Sequence, residues 1–325
     1  MLKVKFYPTR NVGGNQYISN MKAAVKLVAG VEVKETIKFR KFYKEQGFSW
    51  TRSDYIFVNW LENSLKNKFG WLCLPGVLIF FFKIFYFRLH AKKVIYVRHN
   101  LYPHGMKGFH AKLAKRIADL GESFCDEKAS HSGHLLKSGY LYLPHPLYDL
   151  NELQTSSENY FIMFGRVAEY KNIAAIIEHW DRKETLLIAG PTKDSGYLAL
   201  LEKLASNRNI SFDVRFIPDD EAINLVGKSS GVILAHNDEN MIVSGSFFYA
   251  ATLGLPVYAI KSPFLEWVSS SLNYDGLELF NTPNQLVLGL GRINPTDRRR
   301  YKEQANSLFG DTAMSSKFAK LFNVK

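Results

Sequence analysis

The sequence predicts an α/β protein built as two Rossmann-like domains facing a central cleft. Short apolar runs alternate with segments of helical spacing along most of the chain, which is the pattern of a wound sheet. The 325 residues exceed the size at which one hydrophobic core usually stops growing, so two cores are expected. The alternation also restarts. After Pro144-His145-Pro146 and the polar stretch Asn151 to Asn159, a second and clearer set of strands begins, and the domain boundary is placed at 150/151.

In the first half, Leu2 to Tyr7 reads as a strand, Asn11 to Gln16 as a loop and Tyr17 to Ala29 as a helix. Tyr55 to Trp60 is a second strand, the Gly70 to His90 region a helix, Val94 to His99 a strand and Phe109 to Leu120 an amphipathic helix. Ser123 to Glu127 and Tyr140 to Leu143 read as later strands. In the second half, strands are expected at Tyr160 to Phe164, Thr185 to Ala189, Val214 to Ile217, Gly231 to Ala235 and Val257 to Ile260. Helices are expected at Ile173 to Trp180, Tyr197 to Ala205, Asp219 to Lys228 and Gly245 to Thr252. No repeat of ~20 to 50 residues is visible, which argues against a solenoid.

The chain carries 42 Lys and Arg against 30 Asp and Glu, a formal charge of +12. Such a surface attracts nucleic acid, anionic lipid or anionic substrates, and charge alone does not choose among them. In the first half the cations are interleaved with aromatics, in Lys38 to Lys44 and at Lys66, Lys68, Lys83, Arg88, Lys92 and Lys93, the mixture expected of an interfacial surface or of a solvated basic face. The most apolar stretch, Gly70 to Phe87, is short for a membrane span and is interrupted by Pro75 and Lys83. It is expected to pack on the first sheet, with one edge able to enter a bilayer surface. Two cysteines, Cys73 and Cys125, provide no disulfide framework, and no secretory signal is visible. A cytoplasmic protein, peripheral at the inner face of the cell membrane, is the expectation.

The candidate site lies in the second half. The apolar run Phe161 to Phe164 breaks at Gly165 and delivers Arg166 and Lys171 onto the following loop, at the end of a strand where open α/β sheets bind ligands. Two cations there suit a diphosphate, although they would also serve as surface charges at a turn. Ser244-Gly245-Ser246 opens a helix whose free N–H groups and hydroxyls could meet the same anion; a simple N-cap would need one serine. Together these features point to a nucleotide-sugar site. The loop at Ile217 to Glu221, with Pro218 and Glu221, is expected to border the nucleoside. Gly13-Gly14-Asn15-Gln16 lacks the third glycine and downstream acid of a dinucleotide fingerprint. His131, His134 and His145 read as satisfied polar side chains rather than as a metal site.

The string Gly165-Arg166, Lys171-Asn172, Ile188-Ala189-Gly190-Pro191 and Ala251 to Val257 resembles the C-terminal half of GT-B glycosyltransferases. Val58 to Asn63 and Val97 to His104 resemble the acceptor-side motifs of bacterial exopolysaccharide and capsule transferases. Pro295 to Phe322, with Arg298-Arg299-Arg300, resembles the C-terminal helix that crosses back to the first domain. The resemblance thus implies an acceptor domain at 1–150, a donor domain at 151–295 and a closing helix at 296–325. It implies that Arg166 and Lys171 bind the donor diphosphate with Ser244, Gly245 and Ser246, and that the loop at Asn15 lies near an acceptor or donor sugar.

Related retaining enzymes carry two glutamates eight positions apart, and those positions here are Met241 and Tyr249. Asp238 and Glu239 lie nearby and could touch donor sugar hydroxyls. Inversion is therefore favoured, which requires a base on the acceptor hydroxyl. His99, His104 and Glu62 are the candidates, with Asn59 and Asn100 orienting the acceptor. The resemblance implies a nucleoside diphosphate sugar of UDP or GDP type as co-substrate, no cofactor and no metal. The expected activity is sugar transfer to a lipid-linked saccharide in capsule or O-antigen type surface polysaccharide synthesis. A non-catalytic scaffold binding a sugar nucleotide, a partner protein or nucleic acid is the alternative, but no nucleic-acid-binding module is recognisable.

Overall fold

A computed structural model describes residues 1–11, 16–34, 52–103, 105–150, 158–236, 242–291 and 294–324. Asn15, His104, Asp238, Glu239 and Met241 lie outside the described residues, as do Gly13, Gly14, the Lys38 to Lys44 run and most of the polar stretch at 151–159. The chain divides into two compact units. One consists mainly of Met1–Pro146 and Asp311–Lys325, the other mainly of Leu147–Glu239 and Ser244–Gly310.

The first unit holds β1 (Leu2–Tyr7), α1 (Tyr17–Lys26), β2 (Val31–Val33), β3 (Ser53–Asn59), α2 (Leu74–His90), β4 (Ala91–Arg98), α3 (Gly108–Ser123), β5 (Glu127–Ser130) and β6 (Leu141–Tyr142). The strands form one parallel sheet in the order β2-β1-β3-β4-β5-β6. A parallel sheet is covered on both faces, which explains the continuous apolar runs of its central strands. Their side chains alternate between two cores. Phe57, Ile95 and Val97 pack toward α1, while Ile56, Val58, Val94 and Tyr96 pack toward α2 and α3.

The second unit holds β7 (Tyr160–Phe164), α4 (Ile173–His179), β8 (Thr185–Ala189), α5 (Ser195–Ala205), β9 (Ile210–Asp213), α6 (Asp219–Gly227) and β10 (Gly231–Leu234). It continues with α7 (Gly245–Thr252), β11 (Val257–Ile260), α8 (Pro263–Leu272), β12 (Leu277–Phe280), α9 (Pro283–Gly289) and α10 (Pro295–Phe309). Its strands are also parallel, in the order β12-β11-β10-β7-β8-β9. Chain order reverses between β7 and β10, so the ligand-binding crevice of such a sheet falls at the carboxyl ends of these two strands. In the first sheet the reversal falls between β1 and β3.

The closing segment divides between the units. Arg298 of α10 donates to the carbonyls of Leu253 (3.1 Å) and Gly227 (2.8 Å), placing a cation at the C-termini of α7 and α6. α11 (Asp311–Phe322) packs Phe318 and Phe322 against Phe57, with ring centroids 5.5 and 6.2 Å away.

Two expected strands are displaced. The expected strand at Val214 to Ile217 is instead β9, four residues earlier. Arg215 is held by Asp213 and Glu221, and Pro218 caps α6, so that stretch is a loop. At Ser123 to Glu127, α3 runs on through Ser123. The Asp126 carboxylate accepts from Val94 N at 2.8 Å, and β5 starts only at Glu127. β2, β12, α8 and α9 are elements beyond those the sequence pattern predicts. The signal for the two helices was present in Ser262-Pro263 and Thr282-Pro283, where each hydroxyl caps a helix with proline at its first position.

Candidate functional site

At the carboxyl end of β7, Gly165 adopts φ 102°, a conformation that side chains resist. A Cβ there would come within 2.9 Å of Lys171 Nζ. The neighbouring loop after β8 is just as tight. Gly190 has φ 131°, and a Cβ on it would lie 2.3 Å from the Gly165 carbonyl oxygen. Backbone bonds lock the two loops together, from Gly165 N to Ala189 O (2.9 Å) and from Val167 N to Pro191 O (3.0 Å).

Lys171 is buried, and its ammonium donates to the Phe164 carbonyl at 2.7 Å. Burial, together with the neighbouring Arg166 charge, lowers its pKa to about 8. Arg166 itself is exposed. Ser246 Oγ reaches the same Phe164 carbonyl at 3.2 Å, while Ser244 Oγ caps α7 by accepting from Phe247 N at 3.3 Å. The two serines thus have different tasks: one caps the helix, and the other ties its first turn to the β7 loop. The N-terminus of α7, with its positive dipole end, is fixed beside Gly165 and Lys171.

Tyr249, on the next turn of α7, packs against Phe164 (5.4 Å) and Tyr148 (5.1 Å), and its buried hydroxyl has no hydrogen-bond partner among the described residues. Burial raises the pKa of both tyrosines, with Asp219 adding to the effect. Gly245 faces Tyr148, whose hydroxyl would be 3.3 Å from a Cβ at that position. Pro218 is the N-cap of α6. The Glu221 carboxylate is engaged by Arg215, which donates to it from Nη1 at 2.9 Å and also from Nη2.

In the first unit a polar cluster lies at the carboxyl ends of β3 to β6. Asn59 ends β3 and donates through Nδ2 to the Tyr7 carbonyl at the end of β1 (3.1 Å). Its Oδ1 therefore faces inward, 3.1 Å from His99 Nε2 and 3.0 Å from Tyr17 Oη. A carbonyl oxygen can only accept, so the network assigns the His99 hydrogen to Nε2 and leaves the lone pair on Nδ1. Burial, with His131 and His145 as neighbours, holds the His99 pKa well below its ordinary value, so the ring is neutral.

Trp60 stacks on His99 (4.5 Å, 29°) and pays for the contact with a left-handed backbone, φ 51°. His131 joins the cluster through Nε2 to Tyr17 Oη (2.7 Å) and Nδ1 to the Leu143 carbonyl (2.9 Å). His145 bonds the Pro146 carbonyl, and His134 bonds Ser132 Oγ. Among the described residues no group of three His, Cys, Asp or Glu side chains could hold a metal ion.

Glu62 is fully buried in a one-turn 3-10 helix, Leu61–Leu65. It accepts from Tyr96 Oη at 3.0 Å and from Asn100 Nδ2 at 3.5 Å. Burial raises its pKa while Arg98 pulls it down. Arg98, also fully buried, pairs with Glu122 (2.7 Å) and Asp119 (3.2 Å) and donates to the carbonyls of Asn100 and Leu101. Burial is the largest influence and opposes its charge, but Glu122, Tyr96 and Tyr140 together more than compensate, so its pKa is raised. This residue fixes the loop that carries His99.

Compared by sequence, the chain matches no family model and no curated protein. Its fold, in contrast, is shared over nearly its whole length. Anabaena HepE, solved in complex with UDP and glucose, superposes with a TM-score of 0.63 at 12% identity, covering 99% of this chain and 100% of that one. AviGT4, a glycosyltransferase involved in avilamycin A biosynthesis, gives 0.60 at 14% identity over 99% and 97%. The lipopolysaccharide outer core galactosyltransferase WaaB gives 0.58 at 11% identity over 99% of each chain. The fold is that of the GT-B glycosyltransferases.

On this GT-B scaffold, Gly165, Arg166, Lys171, Ser244, Gly245 and Ser246 come together in the second unit. Asn59, His99, Asn100 and Glu62 come together in the first, with Asn100 and Glu62 turned toward each other in the interior. Sequence reasoning missed Tyr17, Trp60, Arg98, Gly190 and Tyr249 as parts of these clusters. Gly190 had a readable signal, since a glycine directly after a buried strand marks a turn that side chains resist. Arg98 had a weaker one, an arginine ending an otherwise apolar strand.

Proposed function

We propose that the protein transfers a sugar from a nucleoside diphosphate donor, of UDP or GDP type, to a saccharide acceptor carried on a lipid. The setting is bacterial surface polysaccharide synthesis at the inner face of the cell membrane. The observation that carries the proposal is the buried, charge-penalised Lys171 beside the N-terminus of α7, at the strand-order reversal between β7 and β10. A buried cation whose pKa is depressed gains most when an anion arrives, and the aligned helix amides favour the same charge. HepE bound to UDP and glucose, on the same fold, agrees with this reading.

In the proposed reaction the acceptor hydroxyl attacks the anomeric carbon as the bond from that carbon to the diphosphate oxygen breaks. Lys171 and Arg166 neutralise the departing diphosphate. His99 takes the acceptor proton on Nδ1, the nitrogen that its bond to Asn59 leaves unprotonated. Glu62 is enclosed by Tyr96, Asn100 and Arg98 and is assigned to holding that loop. Tyr249 stands where the related retaining enzymes have a carboxylate, which favours inversion.

Thermal denaturation with UDP, GDP, ADP and CMP tests the donor site. One nucleoside diphosphate should raise the melting temperature of the wild type, and Arg166→Ala should reduce the shift. Saturation at a hundredfold over Kd corresponds to about 2.7 kcal/mol. No response to any nucleotide would return the chain to the scaffold reading. Radiolabel transfer to a polyprenyl-linked saccharide, compared with the free saccharide, tests the acceptor.

A further inference from the structure

α2 is apolar on two opposite faces. Phe80, Ile84 and Phe87 are buried in the core against β3, β4 and α3, as expected for a helix covering a sheet. A second stripe, Leu74, Leu78, Phe82, Phe85 and Leu89, recurs at steps of four, four, three and four residues and is exposed along its whole length. At about 100° per residue these five side chains occupy an arc of about 80°, and they extend for about 22 Å. Leu74 and Leu78 are 71% and 63% exposed, and Phe82 and Leu89 more than half. A water-facing helix normally places polar residues on this stripe. Among the described residues no helix is long and apolar enough to cross a membrane, so the stripe does not mark a span.

The surroundings continue the same surface. At the N-terminal end of α2, Phe69 and Trp71 are largely exposed with rings 6.3 Å apart, and Trp71 lies parallel to His110 of α3 at 6.2 Å. Toward the other end, Phe124 meets Phe85 at 5.4 Å. The connections β3-α2-β4 and β4-α3-β5 step the same way across the sheet, so α2 and α3 cover the same face and look outward together. The outward stripe of α3 reads Phe109, Lys112, Arg116, Leu120, two exposed cations flanked by large apolar side chains. Lys68 lies over the Phe69 ring at 4.9 Å. Of the nearby acids, Asp119 pairs with Lys115 and Arg98, and Asp126 with Arg88. An apolar band edged by net positive charge is complementary to an anionic bilayer, whose headgroups meet the cations and whose acyl boundary accepts the leucines and phenylalanines.

We infer that the α2–α3 face of the first unit is a monotopic membrane-docking surface, with the Leu74 to Leu89 stripe lying in the plane of an anionic lipid interface. Only the placement of the acceptor lipid rests on the transferase reading; the surface itself stands on the first unit alone. The test is co-sedimentation of the full chain with phosphatidylcholine vesicles, with and without phosphatidylglycerol, in parallel with UDP thermal shifts on the same samples.

Wild type should bind the anionic vesicles. Leu78→Gln with Phe82→Gln should weaken partitioning roughly tenfold or more, and Lys112→Ala or Arg116→Ala roughly fivefold each. All these side chains are exposed, so melting temperatures should not fall. Binding by the double variant equal to wild type would overturn the inference. So would a wild-type dimer that ignores vesicles and dissociates in the double variant, because the stripe would then be a contact between copies. Vesicle binding lost with the UDP shift intact would leave the donor site standing, and the reverse result would leave the docking surface standing.

Discussion

Lys171 offers the sharpest test of the donor site, because the apo protein holds its charge at a loss. Its folded pKa of about 8 lies below the ordinary 10.5. The gap corresponds to about 3 kcal/mol of penalty on the charged form. Below about pH 8 folded and unfolded chains both hold the proton, and the full penalty stands. Between about 8 and 10.5 the unfolded chain still holds a proton that the folded chain has released, so stability rises with pH across that window. Lys171→Met removes both the penalty and the slope. It also removes the hydrogen bond to the Phe164 carbonyl, worth about 1 kcal/mol, but Ser246 Oγ still donates there. The variant should therefore be more stable than wild type by about 2 kcal/mol at neutral pH, roughly 4–8 °C for a chain of this size.

Ligand binding should show the opposite sign. A diphosphate that restores the Lys171 charge binds the protonated form, so UDP affinity should fall by up to tenfold per pH unit above about 8. Calorimetric titration from about pH 7.5 to about 9.5 keeps clear of the nucleotide's own second phosphate ionisation, near 6 in phosphate monoesters. In Lys171→Met the affinity should be lower and flat with pH. Parallel stability-pH curves for wild type and Lys171→Met, or a wild-type UDP affinity that does not change above pH 8, would refute the assignment of a strained cation at this site.

Gly190→Ala should cost at least about 2 kcal/mol and abolish the UDP thermal shift, because its Cβ collides with the Gly165 carbonyl from a backbone that side chains resist; denaturant titration and fluorimetry measure both. His99→Gln should keep the UDP shift and lose transfer. The wild-type rate should stay level from about pH 6 to 8, since a base with so low a pKa is already unprotonated there, and stopped assays across that range check it. Arg98→Met should destabilise by about 3–5 kcal/mol in chemical denaturation, because it leaves the buried Glu122 and Glu62 without their cation. Tyr249→Phe should raise apo stability by about 1 kcal/mol by removing an unpartnered buried hydroxyl, and shrink the donor-induced shift, both readable in one thermal scan.

The layers of the fold were legible because parallel strands buried on both faces leave uninterrupted apolar runs. β1, β7, β8 and β11 were read to the residue on that signal. β9 was misplaced because Ile210-Ser211-Phe212-Asp213 carries the alternation of an edge strand, whereas the more apolar Phe216-Ile217 that follows is a loop set by Arg215 and Pro218. β2 and β12, also edge strands and only three and four residues long, gave too little pattern to see. In the site, the Gly-Arg-x-x-x-x-Lys spacing and the paired serines were visible as types. That Ser244 caps while Ser246 tethers depends on which carbonyl passes nearby, and Phe164 is 82 positions from Ser246. The Tyr17–Asn59–His99–His131 cluster joins four segments through side chains alone, so no local window contains it.

The two units also bury polar groups in contrasting ways, and the contrast separates support from function. Arg98 is enclosed but engaged by two carboxylates and two carbonyls, its closest approach to Glu122 being an ion pair without hydrogen-bond geometry, and its pKa is raised. Lys171 is as deeply placed, yet its charge meets one carbonyl and a like-charged neighbour, and its pKa drops. Tyr249, packed on the strand residue whose carbonyl Lys171 contacts, buries a hydroxyl that finds no partner among the described residues. Folding alone gives no reason to keep two under-satisfied polar groups at one strand end, since methionine and phenylalanine would fill the same space at lower free energy. A ligand that brings negative charge and hydrogen-bond acceptors would supply what both groups lack. Stabilising substitutions that weaken donor binding at these two positions, set against a destabilising one at Arg98, are the signature that separates the two kinds of burial.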